Sequence, residues 1–161
     1  MKKYGILIGR FQPLHLAHQS IINEILHDGL IPIIFIGSSD ADKSEKNPFS
    51  YIERAQMIHE VYGNQVVTLP LPDFNRDEHW VEHVEGALIY GLYVHPNECV
   101  LYFFRKDGEF DVADSFPMFK HKQPSYPNVY DGLSATKIRS NPEEYKQYLD
   151  GRIYKYLKKV K

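Results

Sequence analysis

An apolar run, Tyr4-Gly5-Ile6-Leu7-Ile8, breaks at Gly9-Arg10-Phe11-Gln12-Pro13-Leu14-His15-Leu16-Ala17-His18 and passes directly into a helical pattern that begins near Leu16. A buried strand that ends in Gly and opens onto a helix leaves the first backbone N–H groups of that helix unpaired. They face the carboxyl end of a parallel sheet, where an anion can sit. His15 and His18, spaced i and i+3, share one face of the first helical turn, and Arg10 adds a fork of donors beside them. Backbone amides, two imidazoles and a guanidinium in ten residues predict a phosphate site. Neither G-x-G-x-x-G nor G-x-x-x-x-G-K-[ST] occurs here, so the site is not one of the glycine-rich phosphate loops.

The rest of the chain supplies a matching framework. Ala17, Ile21, Ile22, Ile25 and Leu26 alternate at helical spacing with Gln19, Asn23, Glu24 and Asp28, and Gly29 can close the helix as a left-handed cap. Ile31 to Ile36 read as a strand covered on both faces, ending in Gly37-Ser38-Ser39. A polar stretch, 40 to 49, carries Lys43, Lys46 and Asn47 and leads to the capping box Ser50-Tyr51-Ile52-Glu53, which predicts a helix to about Tyr62 with Gly63 as its stop.

Val66 to Leu71 predict a third strand, and the segment from Pro72 to Trp80 opens a helix to about Tyr90. A fourth strand is expected at Val100 to Phe104, followed by Arg105-Lys106-Asp107-Gly108. Phe116, Met118 and Phe119 anchor the excursion from 109 to 127, and Asn128 to Tyr130 are expected as a fifth, edge strand. Ser134 is placed to cap a short helix on which Thr136 and Arg139 lie one turn apart. Asn141-Pro142-Glu143-Glu144 should stop that helix and cap the next, giving a small helical C-terminus over about 142–160 with an apolar stripe of Ile153, Tyr156, Leu157 and Val160. The expected fold is one α/β domain, Rossmann-like and doubly wound, with a mainly parallel five-stranded sheet and helices on both faces.

Composition narrows the function. With 161 residues, a formal net charge of −2 and no basic excess, the chain does not read as a nucleic-acid binder. No segment reaches membrane-spanning length, so a cytoplasmic protein is expected. Cys99 is the one cysteine, which excludes an internal disulfide and a zinc cluster of thiolates. His79-Trp80-Val81-Glu82-His83 fits the H-x-x-E-H zinc-hydrolase pattern, but a catalytic zinc needs a third ligand such as Glu143, and so short a pattern recurs by chance; it is the minor alternative.

Gly9-Arg10-Phe11-Gln12-Pro13-Leu14-His15 and the His15-x-x-His18 pair resemble the G-R-F-Q-P-F-H opening and H-x-G-H signature of nicotinamide mononucleotide (NMN) adenylyltransferases of the archaeal and Nudix-fused type, with Ala17 where the signature carries Gly. Asn47-Pro48-Phe49-Ser50 through Glu53-Arg54 to Met57-Ile58 is similar to their N-P-F-[ST]-x-x-E-R-x-x-M-I segment, and Leu133-Ser134-Ala135-Thr136-Lys137-Ile138-Arg139 to the I-S-x-T-x-I-R motif. The resemblance implies adenylyl transfer from ATP to NMN, giving NAD and pyrophosphate, with Mg²⁺ held mainly by the phosphates. His15, His18 and Arg139 are the implied catalytic residues. Gly9, Arg10, Phe11, Gln12, Arg54, Arg105, Lys106, Ser134 and Thr136 join them around ATP, and Gly37, Ser38, Asn47, Asp73, Asn75 and Trp80 surround NMN, with Trp80 stacking on the pyridine ring. No resident metal site is implied, no Nudix segment is visible, and a homo-oligomer is open. Nicotinic acid mononucleotide or phosphopantetheine as acceptor, or a nucleotide sensor without turnover, are the competing readings.

Overall fold

The computed structural model describes residues 1–103, 112–125 and 133–157. Five strands form one sheet: β1 (Tyr4–Gly9), β2 (Ile31–Gly37), β3 (Val67–Leu71), β4 (Cys99–Tyr102) and β5 (Lys120–Lys122). Their order is β3-β2-β1-β4-β5, every pair parallel, with Gly9 opposite Ile36 in the β1–β2 register. The order reverses beside β1, so the loops after β1 and its neighbours flank a topological switch point, where α/β sheets bind ligands.

Side-chain alternation divides β1, β2 and β4 between two cores. Leu7, Ile34, Ile36, Val100 and Tyr102 pack on one face with α1 (Leu16–His27), α2 (Tyr51–Tyr62), α4 (Ala135–Ser140) and α5 (Gly151–Leu157). Ile6, Ile33, Phe35 and Leu101 pack on the other with Val84 and Leu88, from α3 (Asp77–Gly86) and the π-turn after it, and with Phe116 and Phe119. Two buried faces explain why β2 reads as a continuous apolar run. Gly5 sets how closely α1 lies on the sheet: a Cβ there would come 2.5 Å from Ile25 Cγ2. Gly29, at φ +78°, ends α1 as the sequence leads one to expect.

Five boundaries differ from expectation. The fifth strand is Lys120–Lys122; it pairs with β4 and, as an edge, keeps charged residues, whereas the expected 128–130 lies outside the described residues. Strand β3 starts at Val67 because Val66 ends the 3₁₀ turn Gly63–Gln65, and β4 ends at Tyr102, with Phe103 still donating its N–H to Lys122 O. The expected single helix to Tyr90 is α3 followed by the π-turn Ala87–Gly91. Finally, residues 142–145 do not open a helix. Asn141 Oδ1 accepts the Glu144 N–H and holds a turn, and α5 begins only at Gly151, where the Asp150 side chain accepts the Arg152 N–H.

Candidate active site

Just beyond β1, Phe11 takes φ +53° and is 1% exposed, its ring 4.6 Å from that of His18. Left-handed backbone at a bulky residue is costly, and burial of the ring opposes that cost. A Cβ on Gly9 would approach the Phe11 ring to 3.1 Å, so the glycine makes room for it. His15 is the N-cap of α1 and donates its backbone N–H to His18 Nδ1 at 3.2 Å; the two rings stack at 3.7 Å and 19°. With Nδ1 accepting, the proton of a neutral His18 sits on Nε2. The Ala17 methyl is turned into the core, 2% exposed.

Gln12 and Arg54, both expected at ATP, are buried, with their side chains on backbone groups of the loops after β1 and β2 and of the segment before α2. Gln12 pairs with Phe49 at both ends of its amide: Nε2 donates to Phe49 O and Oε1 accepts from Phe49 N, each at 3.0 Å. Arg54, 1% exposed, donates through Nη1 to Arg10 O (2.8 Å) and Gly37 O (2.6 Å), through Nη2 to Ser38 O (3.2 Å) and through Nε to Ser50 O (3.1 Å). Burial, then the nearby Arg10 charge, draws its pKa below the ordinary arginine value. Ser38, at φ +47°, donates its hydroxyl to Asp73 Oδ1 at 3.0 Å, which joins the loops after β2 and β3.

The motif on α4 reaches the loop after β1. Ser134 Oγ accepts from Lys137 N at 3.2 Å as the cap of α4, and Arg139 Nη1 donates to Gln12 O at 2.8 Å across 127 residues of sequence. Its Nη2 lies 3.5 Å from Thr136 Oγ1. Burial and then the Arg10 charge lower the Arg139 pKa as well. Thr136 and Arg139 line a cleft of about 670 Å³ with Ser44, Glu45, Lys46 and Pro48, within the usual size range of small-molecule sites. Asn47 Oδ1 is buried beside this loop with no protein donor among the described residues.

The expected NMN side is looser. Gly37 and Ser38 are held by Arg54, but Asp73 and Asn75 are exposed. Trp80 is half-buried against Phe116, ring centroids 5.3 Å apart, packed on the second core. His83 Nε2 lies 3.1 Å from Pro70 O, and among the described residues no group of three His, Cys, Asp or Glu stands close enough to hold a metal ion.

Residues 6–141 match the cytidylyltransferase-like family model. The chain belongs to the cytidylyltransferase-like family. The nicotinamide-nucleotide adenylyltransferase of Pyrococcus horikoshii is 30% identical over 166 residues, covering 98% of this chain and 83% of that protein. The Methanolobus tindarius protein of the same name is 32% identical over 154 residues, covering 93% and 79%. Among solved structures, a bifunctional NMN adenylyltransferase/ADP ribose pyrophosphatase from Francisella tularensis, complexed with AMP and a manganese ion, superposes with TM-score 0.79 at 27% identity. The alignment covers 99% of this chain and 49% of that one, so this chain spans about half the bifunctional protein.

Within this family member, the structure brings Gly9, Arg10, Phe11, His15, His18, Thr136 and Arg139 to one end of the sheet through the Arg139–Gln12 contact. Arg105 and Lys106 lie outside the described residues. Sequence reasoning passed over Glu45 and Lys46 as lining residues. The signal was there, a charged run directly before Pro48-Phe49, but only the Gln12–Phe49 pairing shows that this run is tied to the β1 loop. Among the described residues no helix is long and apolar enough to cross a membrane.

Proposed function

We propose that the chain transfers the adenylyl group of ATP to NMN, releasing pyrophosphate and forming NAD, by direct in-line attack of the NMN phosphate on the α-phosphorus. The observation that carries this reading is the Arg139–Gln12 hydrogen bond, which joins two cationic motifs 127 residues apart in the sequence at one end of the sheet. The curated relatives of that activity, matched over nearly the whole chain, support it.

The chemistry asks for no protein nucleophile. A phosphate monoester, with its second pKa near ~6, is already largely dianionic at neutral pH. Catalysis is then positioning plus electrostatics. His18, its neutral-ring proton fixed on Nε2 by the His15 amide, donates to a phosphate oxygen as charge develops, and the stacked His15 ring holds its orientation. Arg10 and Arg139 neutralise the triphosphate and the departing pyrophosphate. Lys46, on the wall shared with Arg139, adds a third charge. A divalent cation such as Mg²⁺ enters as part of the substrate, on the phosphate oxygens, and supplies further charge neutralisation there.

The test is pyrophosphate release from ATP and Mg²⁺ with NMN, nicotinic acid mononucleotide or phosphopantetheine as acceptor, and product mass as confirmation. NAD formation is the expected result. Absence of turnover with NMN while another acceptor reacts would overturn the acceptor assignment, and ATP binding with no turnover on any would favour a sensor.

A further inference from the structure

Arg54 is a charged side chain buried beside the site with most of its donors engaged. Of the five N–H groups of a guanidinium, four are directed at neutral carbonyls: Ser50 O, Arg10 O, Gly37 O and Ser38 O. At 1% exposure it offers no surface to a ligand. Those carbonyls come from three separate segments: the loop after β1, the end of β2 with the residue beyond it, and the cap of α2. Strands β1 and β2 are parallel and end level, with Gly9 opposite Ile36, so the Arg10 and Gly37 carbonyls crowd together at the same edge. A single Nη1 donates to both. A planar fork with fixed angles can serve such a convergence, and a compact ammonium cannot.

We propose that Arg54 is a positioning residue of the adenylyl-transfer site: it acts through the backbone of Arg10 and Ser38, holding the two nucleotide-facing loops in register, and touches no phosphate itself. This rests on the functional reading above. Its consequence is that shape, not charge alone, is required at position 54. Arg54→Lys, which keeps the charge, should behave nearly as badly as Arg54→Met.

The experiment compares wild type with Arg54→Lys and Arg54→Met by ATP calorimetry, steady-state kinetics with ATP and NMN, and amide hydrogen exchange. Expected for both variants are a Kd for ATP weakened at least ten-fold, kcat lowered at least ten-fold, and exchange in 10–14 and 37–40 faster at least ten-fold, with 151–157 unchanged. An Arg54→Lys protein within two-fold of wild type in Kd and loop exchange would overturn the proposal. So would weakened ATP binding with unchanged loop exchange, the pattern of a direct phosphate contact. If neither variant folds, the wild-type guanidinium decides. Its N–H protons should exchange slowly with solvent in the nucleotide-free protein, and exchange at the rate of an exposed arginine would overturn the assignment. Failure of wild type to make NAD would strike the functional reading only, because the exchange and guanidinium measurements need no turnover.

Discussion

Gln12 and Phe49 pair as two backbone units of a sheet would, the side-chain amide of one matching the main-chain amide of the other at 3.0 Å in both directions. Phe49 is 2% exposed, so neither of its backbone groups has water to fall back on. Gln12→Glu alters one atom, turning the donor end into an acceptor that faces the Phe49 carbonyl. A buried group left without its partner costs about 1–3 kcal/mol. The variant should lose that much stability in urea titration, with an unchanged m value. Because Arg139 donates to the Gln12 carbonyl, ATP binding should weaken as well.

His18 should show a different pattern. Its Nδ1 is engaged by the His15 amide, so the proton for phosphate is on Nε2. If that donor strengthens as the transition state forms, His18→Ala lowers kcat by about 10²–10³, the loss typical of removing one preorganised donor, while the Kd for ATP changes less than about five-fold. Single-turnover kinetics beside calorimetry separates the two. A loss confined to KM would remove His18 from the transition state.

The sheet was readable in advance because its strands carry their own signals: unbroken apolar runs for β1 and β2 and a capping box for α2, each realised to within a residue or two. Strand β5 was missed because Lys120-His121-Lys122 carries no apolar alternation; only pairing with β4 makes it a strand. At the site, spacing singles out His15, His18 and Arg139, whereas residue type does not show where the side chains of Arg54 and Gln12 turn. Both are polar, sit in ligand-like motifs and turn their donors inward to carbonyls. Whether an arginine serves a phosphate or the backbone that frames it depends on burial, which local sequence does not encode.

Trp80 illustrates the same ambiguity and can be tested on both sides. Its ring packs on Phe116, so Trp80→Ala should destabilise the protein by about 1–3 kcal/mol, below the cost of truncating a fully buried tryptophan. If the exposed remainder of the ring also stacks on the pyridine of NMN, KM for NMN should rise at least ten-fold with ATP binding preserved. Trp80→Phe, which keeps an aromatic face, should recover most of that rise. Lost stability with an unchanged KM for NMN would leave Trp80 as a packing residue alone.

The edge strand is fastened to α1 by Asp28, whose carboxylate accepts from both the Lys122 ammonium and the Tyr102 hydroxyl. Lys122, then Tyr102, hold the Asp28 pKa below its usual 3.8, and Asp28 in turn raises that of Lys122 above 10.5. For a carboxylate with a depressed folded pKa, the stabilisation is complete above the unfolded value and disappears as pH falls through the folded one. For a lysine with a raised pKa it is complete below the unfolded value and disappears as pH rises through the folded one. The pair therefore contributes fully between about pH 4 and pH 10. Both groups are largely solvated, so the contribution is small, no more than about 1 kcal/mol. Asp28→Asn should lower the urea midpoint slightly at pH 7, and the gap to wild type should narrow as pH falls below the ordinary carboxylate range. A gap that does not change with pH would place the effect in packing, and no gap at pH 7 would show that Asp28 adds nothing to the hold on β5.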